Sequence, residues 1–266
     1  MIKECKKYYD QKRKALCYFQ KEANPEYWDN HWNLENLASI IKSTKNHQVI
    51  SILKKHLPNE KGLILEAGCG TGVVVHAMKY QGYSSVGIDF AKNTIKKIKE
   101  SVSEIDVRFG DVRKLPFKDQ EIACYISLGV IEHFWEGYDS IIKEAHRVLK
   151  RGGYAIISFP YMSPLRKIKT FLSLYPKLRK SKTNDNFYQF ALDHNKVIKN
   201  LDEYGFQLIE KQYNNGMKGF RDEIPLFKEL MIDISLGKKY KWSLPYLSRF
   251  MNSFAAHGIY LILKKK

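Results

Sequence analysis

Residues 65–72 read LEAGCGTG, with three glycines at alternating positions directly after an apolar run. The run at 62–67 is short and aliphatic, as a buried strand is, and 72–82 carries the apolar spacing of a helix. Glycine has no Cβ, so a loop with three glycines brings its backbone close to whatever it binds. The stretch therefore predicts a strand, a ligand-binding loop and a helix, in that order.

The glycine spacing and a nearby acid indicate what kind of ligand the loop holds. A dinucleotide-binding loop needs glycine at its first, third and sixth positions, but the sixth residue counted from Gly68 is Val73. Glu66 stands two residues before the loop, where its charge would repel a pyrophosphate and attract a cation. The sequence thus favours a cationic nucleoside over a dinucleotide.

Strand-like runs alternate with helical patterns from residue 62 onward, which predicts right-handed crossovers and a sheet covered on both faces. Ligands of such sheets lie beyond the carboxyl ends of the strands, where the glycine loop would be. Two late runs separated by an insertion suggest an antiparallel pair at the sheet's edge. The fold class is therefore α/β, a Rossmann-like doubly wound, mostly parallel seven-stranded sheet with an antiparallel last strand. The predicted strands are 62–67, 84–89, 105–111, 121–129, 154–160, 206–214 and 257–266. The predicted helices between them include 72–82, 91–102, 138–153 and 193–205.

The rest of the chain is predicted as additions to this sheet. An N-terminal helical extension occupies 1–61, with a leading helix over 34–57. Two helical insertions are expected at about 161–190, which carries no strand pattern, and at 217–250. No internal repeat or low-complexity linker interrupts the chain, so residues 62–266 are interpreted as one domain with insertions.

Further blocks follow the glycine loop in an order and at a spacing that resemble the class I S-adenosylmethionine-dependent methyltransferases. They are VGID at 86–89, GDVRKLPF at 110–117, ISLGVIEHF at 126–134 and HRVLKRGGYAIIS at 146–158. The resemblance covers roughly residues 62–160. It implies that the domain is a methyltransferase domain, that S-adenosyl-L-methionine is its cofactor and that S-adenosyl-L-homocysteine is its product.

The resemblance also assigns roles to individual residues. It implies that Asp89 binds the two ribose hydroxyls, that Asp111 accepts from the adenine amino group and that the Val112 N–H faces the ring. The alternatives are that Asp89 caps the following helix and that Asp111 is a turn residue. The implied cofactor-binding residues are Glu66, Gly68, Cys69, Gly70, Gly72, Asp89, Phe90, Asp111, Val112 and Leu128.

A histidine just after the fourth strand is the candidate catalytic residue. His133 has a side chain whose ordinary pKa suits a general base, and the alternative is a packed histidine that bonds a backbone carbonyl. The pair Glu132–His133 resembles a metal-binding corner of ubiquinone-type O-methyltransferases. The further carboxylate of that corner is replaced by Gly129 here, so no metal is expected.

The net charge of +17 is concentrated in peripheral segments. Residues 1–21 carry seven lysines and arginines against two acids, and 161–182 carry seven against none. In 161–182 apolar residues recur at helical spacing between the basic ones, a pattern that suits an anionic membrane or a lipid-linked acceptor. The alternative is a packed helix with a solvated basic face. Aromatic residues at 27–32, and Tyr188, Phe190 and His194, are candidates for the lid or pocket wall.

These observations predict S-adenosylmethionine-dependent methyl transfer, with O-methylation of a small-molecule, glycan or lipid-linked acceptor as the favoured reaction. An RNA methyltransferase is less favoured, because the basic segments contain no recognisable RNA-binding module. A non-catalytic cofactor-binding protein is the third hypothesis. The chain shows no secretory signal, no apolar run long enough to span a bilayer and four unpatterned cysteines, so a cytoplasmic location, with peripheral contact at the membrane, is expected.

Overall fold

The computed structural model describes residues 5–32, 36–179, 184–224 and 244–266. In these ranges the chain forms a large central sheet and a small second sheet. The strands are β1 (Lys6–Asp10), β2 (Ala15–Phe19), β3 (Ile64–Ala67), β4 (Ser85–Asp89), β5 (Asp106–Phe109), β6 (Ile122–Leu128), β7 (Leu149–Pro160), β8 (Phe187–Ala191), β9 (Phe206–Asn214) and β10 (Gly258–Lys265). The helices are α1 (Pro25–His31), α2 (Leu37–Ser43), α3 (Gln48–His56), α4 (Val73–Tyr80), α5 (Lys92–Ser101), α6 (Asp139–Val148), α7 (Pro164–Phe171), α8 (His194–Glu203), α9 (Gly216–Glu223) and α10 (Leu244–Ala255).

The central sheet has the strand order β5-β4-β3-β6-β7-β10-β9. Strands β3 to β7 are parallel, and Leu65 of β3 lies opposite Val86 of β4 and Tyr125 of β6. The last strand, β10, runs antiparallel to both of its neighbours, β7 and β9. The predicted fold class is therefore confirmed. The two late strands form an antiparallel pair at one edge of the sheet, as predicted, with β9 outermost and β10, whose apolar residues 259–263 are almost fully buried, between β9 and β7.

Side chains from successive positions of the central strands enter two different cores. Leu65 and Tyr125 share a core with apolar residues of α6 and α8. Ile64 and Ile126, one position away in each strand, share the other core with α3, α4 and α5. Both faces of the sheet are thus covered by helices, as the alternation of strands and helices predicted.

The leading helix predicted over 34–57 is two helices in the described part. Helix α2 ends at Ser43, and α3 starts after His47, whose side chain accepts from the Val49 N–H at 3.3 Å. Leu34, the first apolar residue of that prediction, lies outside the described residues. So does 225–243, the middle of the predicted 217–250 insertion, which α9 and α10 flank.

The prediction of a purely helical N-terminal extension is wrong for residues 5–20. Strands β1 and β2 form an antiparallel hairpin, and β2 pairs on its other side with β8, inside the predicted helical insertion. All five residues of β2 are buried. Because Leu16 packs against one cluster and Cys17 against another, both faces of this strand are apolar and the two-residue alternation that marks a half-exposed strand is missing.

The basic segment 161–182 also differs from the pattern that its charges predicted. Arg166 is 1% exposed, and its Nε lies 3.0 Å from Oε1 of Glu223. Lys169 contacts the same carboxylate at 3.0 Å, whereas Phe171 at the end of α7 is 87% exposed. Part of the basic face of this helix therefore points inward to an acid, and an apolar side chain points outward. No helix in the described ranges has the length and apolar content needed to cross a bilayer.

Candidate active site

A cavity of about 330 Å³ lies beyond the carboxyl ends of β3, β4 and β6. Its size is within the range of small-molecule sites, and it is at the edge of the sheet where such folds bind ligands. The structure brings together nine of the ten residues to which the sequence assigned the cofactor, and His133 lines the same cavity. The nine are Glu66, Gly68, Cys69, Gly70, Asp89, Phe90, Asp111, Val112 and Leu128. The tenth, Gly72, is the N-cap of α4 and packs near Ile105, away from the cavity.

The glycine loop has a backbone that other residues would not adopt without strain. Gly68 and Gly70 have φ of 83° and 49°, in the left-handed region. A Cβ on Gly68 would collide with Val130, and one on Gly70 would meet the Trp32 ring at 3.0 Å. The absence of both side chains therefore lets Val130 and Trp32 close the cavity around the loop.

Two buried acids give the cavity its electrostatic character. Glu66 is 3% exposed and its Oε2 accepts no hydrogen bond within the described residues. Burial, together with the charge of Asp89, raises the pKa of Glu66 well above its ordinary value. Burial also raises the pKa of Asp89, although its carboxylate accepts from the N–H groups of Gly70 at 2.8 Å and Ala91 at 2.9 Å. A positively charged ligand in the cavity would stabilise the ionised forms of Glu66 and Asp89.

The one arginine or lysine among the described residues of the cavity wall is Arg113, which sequence reasoning missed. Its guanidinium donates to both oxygens of Asp111, at 3.0 and 2.6 Å, and holds the pKa of Asp111 below its usual range. The only signal for Arg113 in the sequence was a basic residue two positions after Asp111, which was predicted to bind the cofactor. Because Asp111 neutralises it, Arg113 does not offset the negative character that Glu66 and Asp89 give the cavity.

His133 lies on a 3₁₀ turn after β6, and only 9% of its side chain is exposed. Its Nδ1 lies 2.7 Å from the backbone oxygen of Tyr188, which can only accept, so Nδ1 carries the proton and the lone pair is on Nε2. Burial lowers the pKa of His133 to about 4, against the opposing effect of the Tyr188 and Gly129 carbonyls. The imidazole is therefore neutral at physiological pH, and it makes the backbone contact that was the alternative to a catalytic role.

Glu132 is adjacent in sequence but does not line the cavity. It is 2% exposed, its Oε1 lies 4.0 Å from Nε2 of His133, and burial raises its pKa to about 8. Across the described ranges, no three histidine, cysteine or acidic side chains come together in a group that could hold a metal ion. This corner of the site is thus a neutral carboxyl beside a neutral imidazole.

Helix α1 covers the cavity from the N-terminal side. Trp28 and Trp32 stack with ring centroids 5.7 Å apart, and both line the cavity. The Trp28 ring also meets His133 edge-on at 5.1 Å, and Tyr188 packs against the same histidine at 5.1 Å. The aromatic stretch 27–32 and Tyr188 are thus at the site, as predicted for lid or wall residues. Phe190 is not, since it stacks on Trp135.

Comparison with known proteins indicates the family to which this chain belongs. A family model described as a methyltransferase domain matches residues 65–157. The uncharacterized protein MJ1123 of Methanocaldococcus jannaschii is 33% identical over 163 residues, which are 60% of this chain and 71% of that protein. A probable S-adenosylmethionine-dependent methyltransferase of Mycolicibacterium smegmatis is 30% identical over 97 residues, or 36% of this chain. A malonyl-[acyl-carrier protein] O-methyltransferase of Hamiltonella defensa is 26% identical over 110 residues, or 41% of this chain.

The chain spans only 37% and 42% of the length of the last two relatives. Among solved structures, an S-adenosylmethionine-dependent methyltransferase of Methanosarcina mazei superposes with a TM-score of 0.55 at 16% identity, covering 83% of this chain and 98% of that one. At this identity the superposition establishes the fold alone. The superposition gives the fold, and the domain match and the coverage of MJ1123 give the family. This chain therefore belongs to the class I S-adenosylmethionine-dependent methyltransferase family.

Proposed function

We propose that this protein transfers the methyl group of S-adenosylmethionine to an oxygen atom of a small-molecule, glycan or lipid-linked acceptor. The observation that carries the proposal is the state of His133 at the cavity wall. Its Nδ1–H is held by the Tyr188 carbonyl, so the neutral Nε2 is ready to accept a proton. The O-methyltransferase among the relatives supports an oxygen acceptor.

The residues around the glycine loop fit a cationic cofactor. Glu66 has a buried carboxyl oxygen without a partner in the described residues, which a ligand ammonium or sulfonium would stabilise. Asp89 keeps lone pairs for the ribose hydroxyls beyond the two that Gly70 and Ala91 occupy. Asp111 retains acceptor capacity at its exposed side for the adenine amino group. S-adenosylmethionine, when bound, supplies an already activated methyl group.

His133 then acts as the general base for the acceptor hydroxyl. An oxygen that gains a methyl group becomes positively charged and its proton becomes strongly acidic, so a weak base is sufficient. A histidine whose pKa is near 4 is such a base, and it is unprotonated at neutral pH. The proton moves from the acceptor oxygen to Nε2, while Tyr188 keeps the ring oriented through Nδ1. The aromatic wall excludes water from this transfer.

We also propose a peripheral membrane contact through 161–182. The structure changes which side chains would make it, because exposed apolar residues are found where a basic helix face was expected. Phe171, the last residue of α7, and Leu172 and Leu174, which follow the helix, are 87%, 57% and 60% exposed. Lys177 and Arg179, which follow, are exposed as well. This apolar tip with a basic border would insert into an anionic bilayer and bring a lipid-linked acceptor to the site. RNA is less favoured, because Arg166, Lys167 and Lys169 are already paired with acids.

The test is methyl-label transfer. The protein is incubated with labelled S-adenosylmethionine and separate fractions of polar metabolites, glycans, lipids and RNA, and the labelled product is hydrolysed to distinguish O-methyl from N-methyl groups. We expect label in a non-RNA fraction, bound to oxygen. Label in RNA would favour the second hypothesis. Tight S-adenosylhomocysteine binding with no transfer to any fraction would favour the non-catalytic one.

A further inference from the structure

The covering helix α1 is attached to the cofactor side of the molecule by one acid. Both oxygens of Asp29 point at the start of α5: Oδ1 accepts from the Thr94 N–H at 2.9 Å and from its hydroxyl at 3.0 Å, and Oδ2 accepts from the Asn93 N–H at 3.3 Å. The first N–H groups of a helix need such partners. The N-cap residue of α5 is Ala91, which has no side chain able to supply one.

The capped helix begins directly after the residue assigned to the ribose. Asp89 accepts from the Ala91 N–H, so the first turn of α5 is satisfied by two acids from different elements. Asp89 is the last residue of β4, and Asp29 belongs to α1. The charge of Asp29 is close enough to contribute to the raised pKa of Asp89. The position of α1 and the state of the ribose site are therefore physically connected.

Helix α1 has little else to fix it in place. None of its seven residues is buried, and its own cap is local, with Asn24 accepting from the Tyr27 N–H at 2.8 Å. Its other contacts include ring contacts of Tyr27 and Trp28 with Tyr188 and His133. Ring contacts of this kind can slide, whereas a hydrogen-bonded cap is either made or broken.

We propose that Asp29 is a positioning residue that fastens α1 over the cofactor cavity by capping α5, and that it sets the rate at which product leaves. The inference rests on the proposed binding of S-adenosylmethionine and its product at the glycine loop. Trp28 and Trp32 lie on the cavity wall, so any ligand that enters or leaves past them requires α1 to move. Each such movement breaks the three hydrogen bonds of Asp29.

The experiment measures the dissociation rate of S-adenosylhomocysteine by stopped flow, with tryptophan fluorescence as the signal. Asp29→Ala should release the product about five-fold faster, the factor that corresponds to losing a helix cap worth about 1 kcal/mol. Asp29→Asn should be close to wild type, because an asparagine oxygen caps almost as well. Glu26→Ala removes an exposed acid from the same helix and should change nothing. In the ligand-free protein, the backbone amides of 26–32 should exchange hydrogen faster in Asp29→Ala alone.

Equal dissociation rates in wild type and Asp29→Ala, with S-adenosylhomocysteine still bound, would overturn this inference and leave the proposed function intact. An equal acceleration of release by Glu26→Ala and Asp29→Ala would overturn it in the same way. Thr94→Val, which keeps the backbone N–H bond and removes only the hydroxyl, should give a smaller acceleration of the same sign. A wild-type protein that binds no S-adenosylhomocysteine would overturn the proposed function and this inference with it.

Discussion

At the scale of single residues, the site is built from ionisable groups whose surroundings change their ordinary state. Burial and the charge of Asp89 raise the pKa of Glu66 well above its ordinary value, and burial lowers the pKa of His133 to about 4. The free site therefore favours a positively charged ligand next to Glu66, and His133 is able to accept a proton. Each of these states has a measurable consequence.

Binding of S-adenosylmethionine should release a proton from Glu66. A cation next to this carboxyl favours its charged form, which lowers a pKa that burial had raised. Calorimetry at pH 7 in phosphate and in Tris should therefore give different binding enthalpies for wild type and equal ones for Glu66→Gln. Identical wild-type heats in the two buffers would exclude this coupling.

Stability provides a second measurement of the same group. Because the folded-state pKa of Glu66 is raised, the stability gained by keeping it protonated is present below its ordinary pKa and is lost as pH rises through the folded value. Glu66→Gln stays neutral, so its melting temperature should exceed that of wild type at alkaline pH and equal it near pH 4.

Replacement of His133 by alanine should reduce kcat by about 10²-fold or more, the usual range for a general base. The affinity for S-adenosylhomocysteine should change by less than about two-fold, because the ring is at the acceptor end of the proposed site. With a pKa near 4, His133 stays unprotonated from pH 6 to 9, so its titration should not bend the kcat profile in that range. A turnover that survives the substitution would assign the histidine a packing role only.

At the scale of elements, the additions to the sheet carry the specific features of this protein. Helix α7 presents the buried Arg166 and the partly buried Lys169 to Glu223 on one side and an exposed apolar end on the other. Helix α1 presents aromatic rings to the cavity. The central sheet positions the glycine loop.

The exposed end of α7 should govern membrane binding. Phe171→Asp combined with Leu174→Asp replaces two outward apolar side chains with charges that an anionic bilayer repels, so co-sedimentation with phosphatidylglycerol vesicles should be lost. Ile209→Asp is the matched control, since Ile209 is 41% exposed on β9. If the double variant and the control sediment like wild type, the apolar end does not contact membrane.

At the scale of the whole molecule, one carboxylate joins three distant segments. Glu223 of α9 contacts Arg166 and Lys169 of α7 and Lys7 of β1 at 3.0 to 3.1 Å. Burial alone would raise the pKa of Glu223, but the charges of Arg166 and Lys7 lower it to about 2. The acid therefore stays ionised and connects the N-terminal hairpin to both additions.

Removal of this acid should destabilise the fold strongly. Glu223→Ala leaves the guanidinium of Arg166 buried and unpaired, which should lower the free energy of unfolding by about 3–5 kcal/mol. Glu203→Ala removes an exposed partner of Lys199 and should cost less than about 0.5 kcal/mol. Urea unfolding measures both, and similar losses in the two variants would show that the buried network contributes little.

The local pattern of the sequence determined the fold and indicated most of the residues that line the cavity. Alternating runs predicted the seven-stranded sheet, and the glycine spacing with Glu66 favoured a cationic nucleoside over a dinucleotide, because both signals reflect the backbone and charge of a few neighbouring residues. Such signals need no knowledge of the rest of the chain. They place Glu66, Gly70 and Asp89 in one cavity although the residues come from separate strands.

Only the tertiary structure decided which distant partners meet. The Tyr188 carbonyl that fixes the tautomer of His133 is 55 residues away, and Asp29 caps a helix 64 residues further along. Glu223 neutralises an arginine 57 residues before it, so a helix that looked basic in sequence buries part of its charge. Strand β2, apolar on both faces, has no alternation to reveal it. Pairings of this kind depend on where the folded chain brings its segments together, and a window of neighbouring residues does not contain that information.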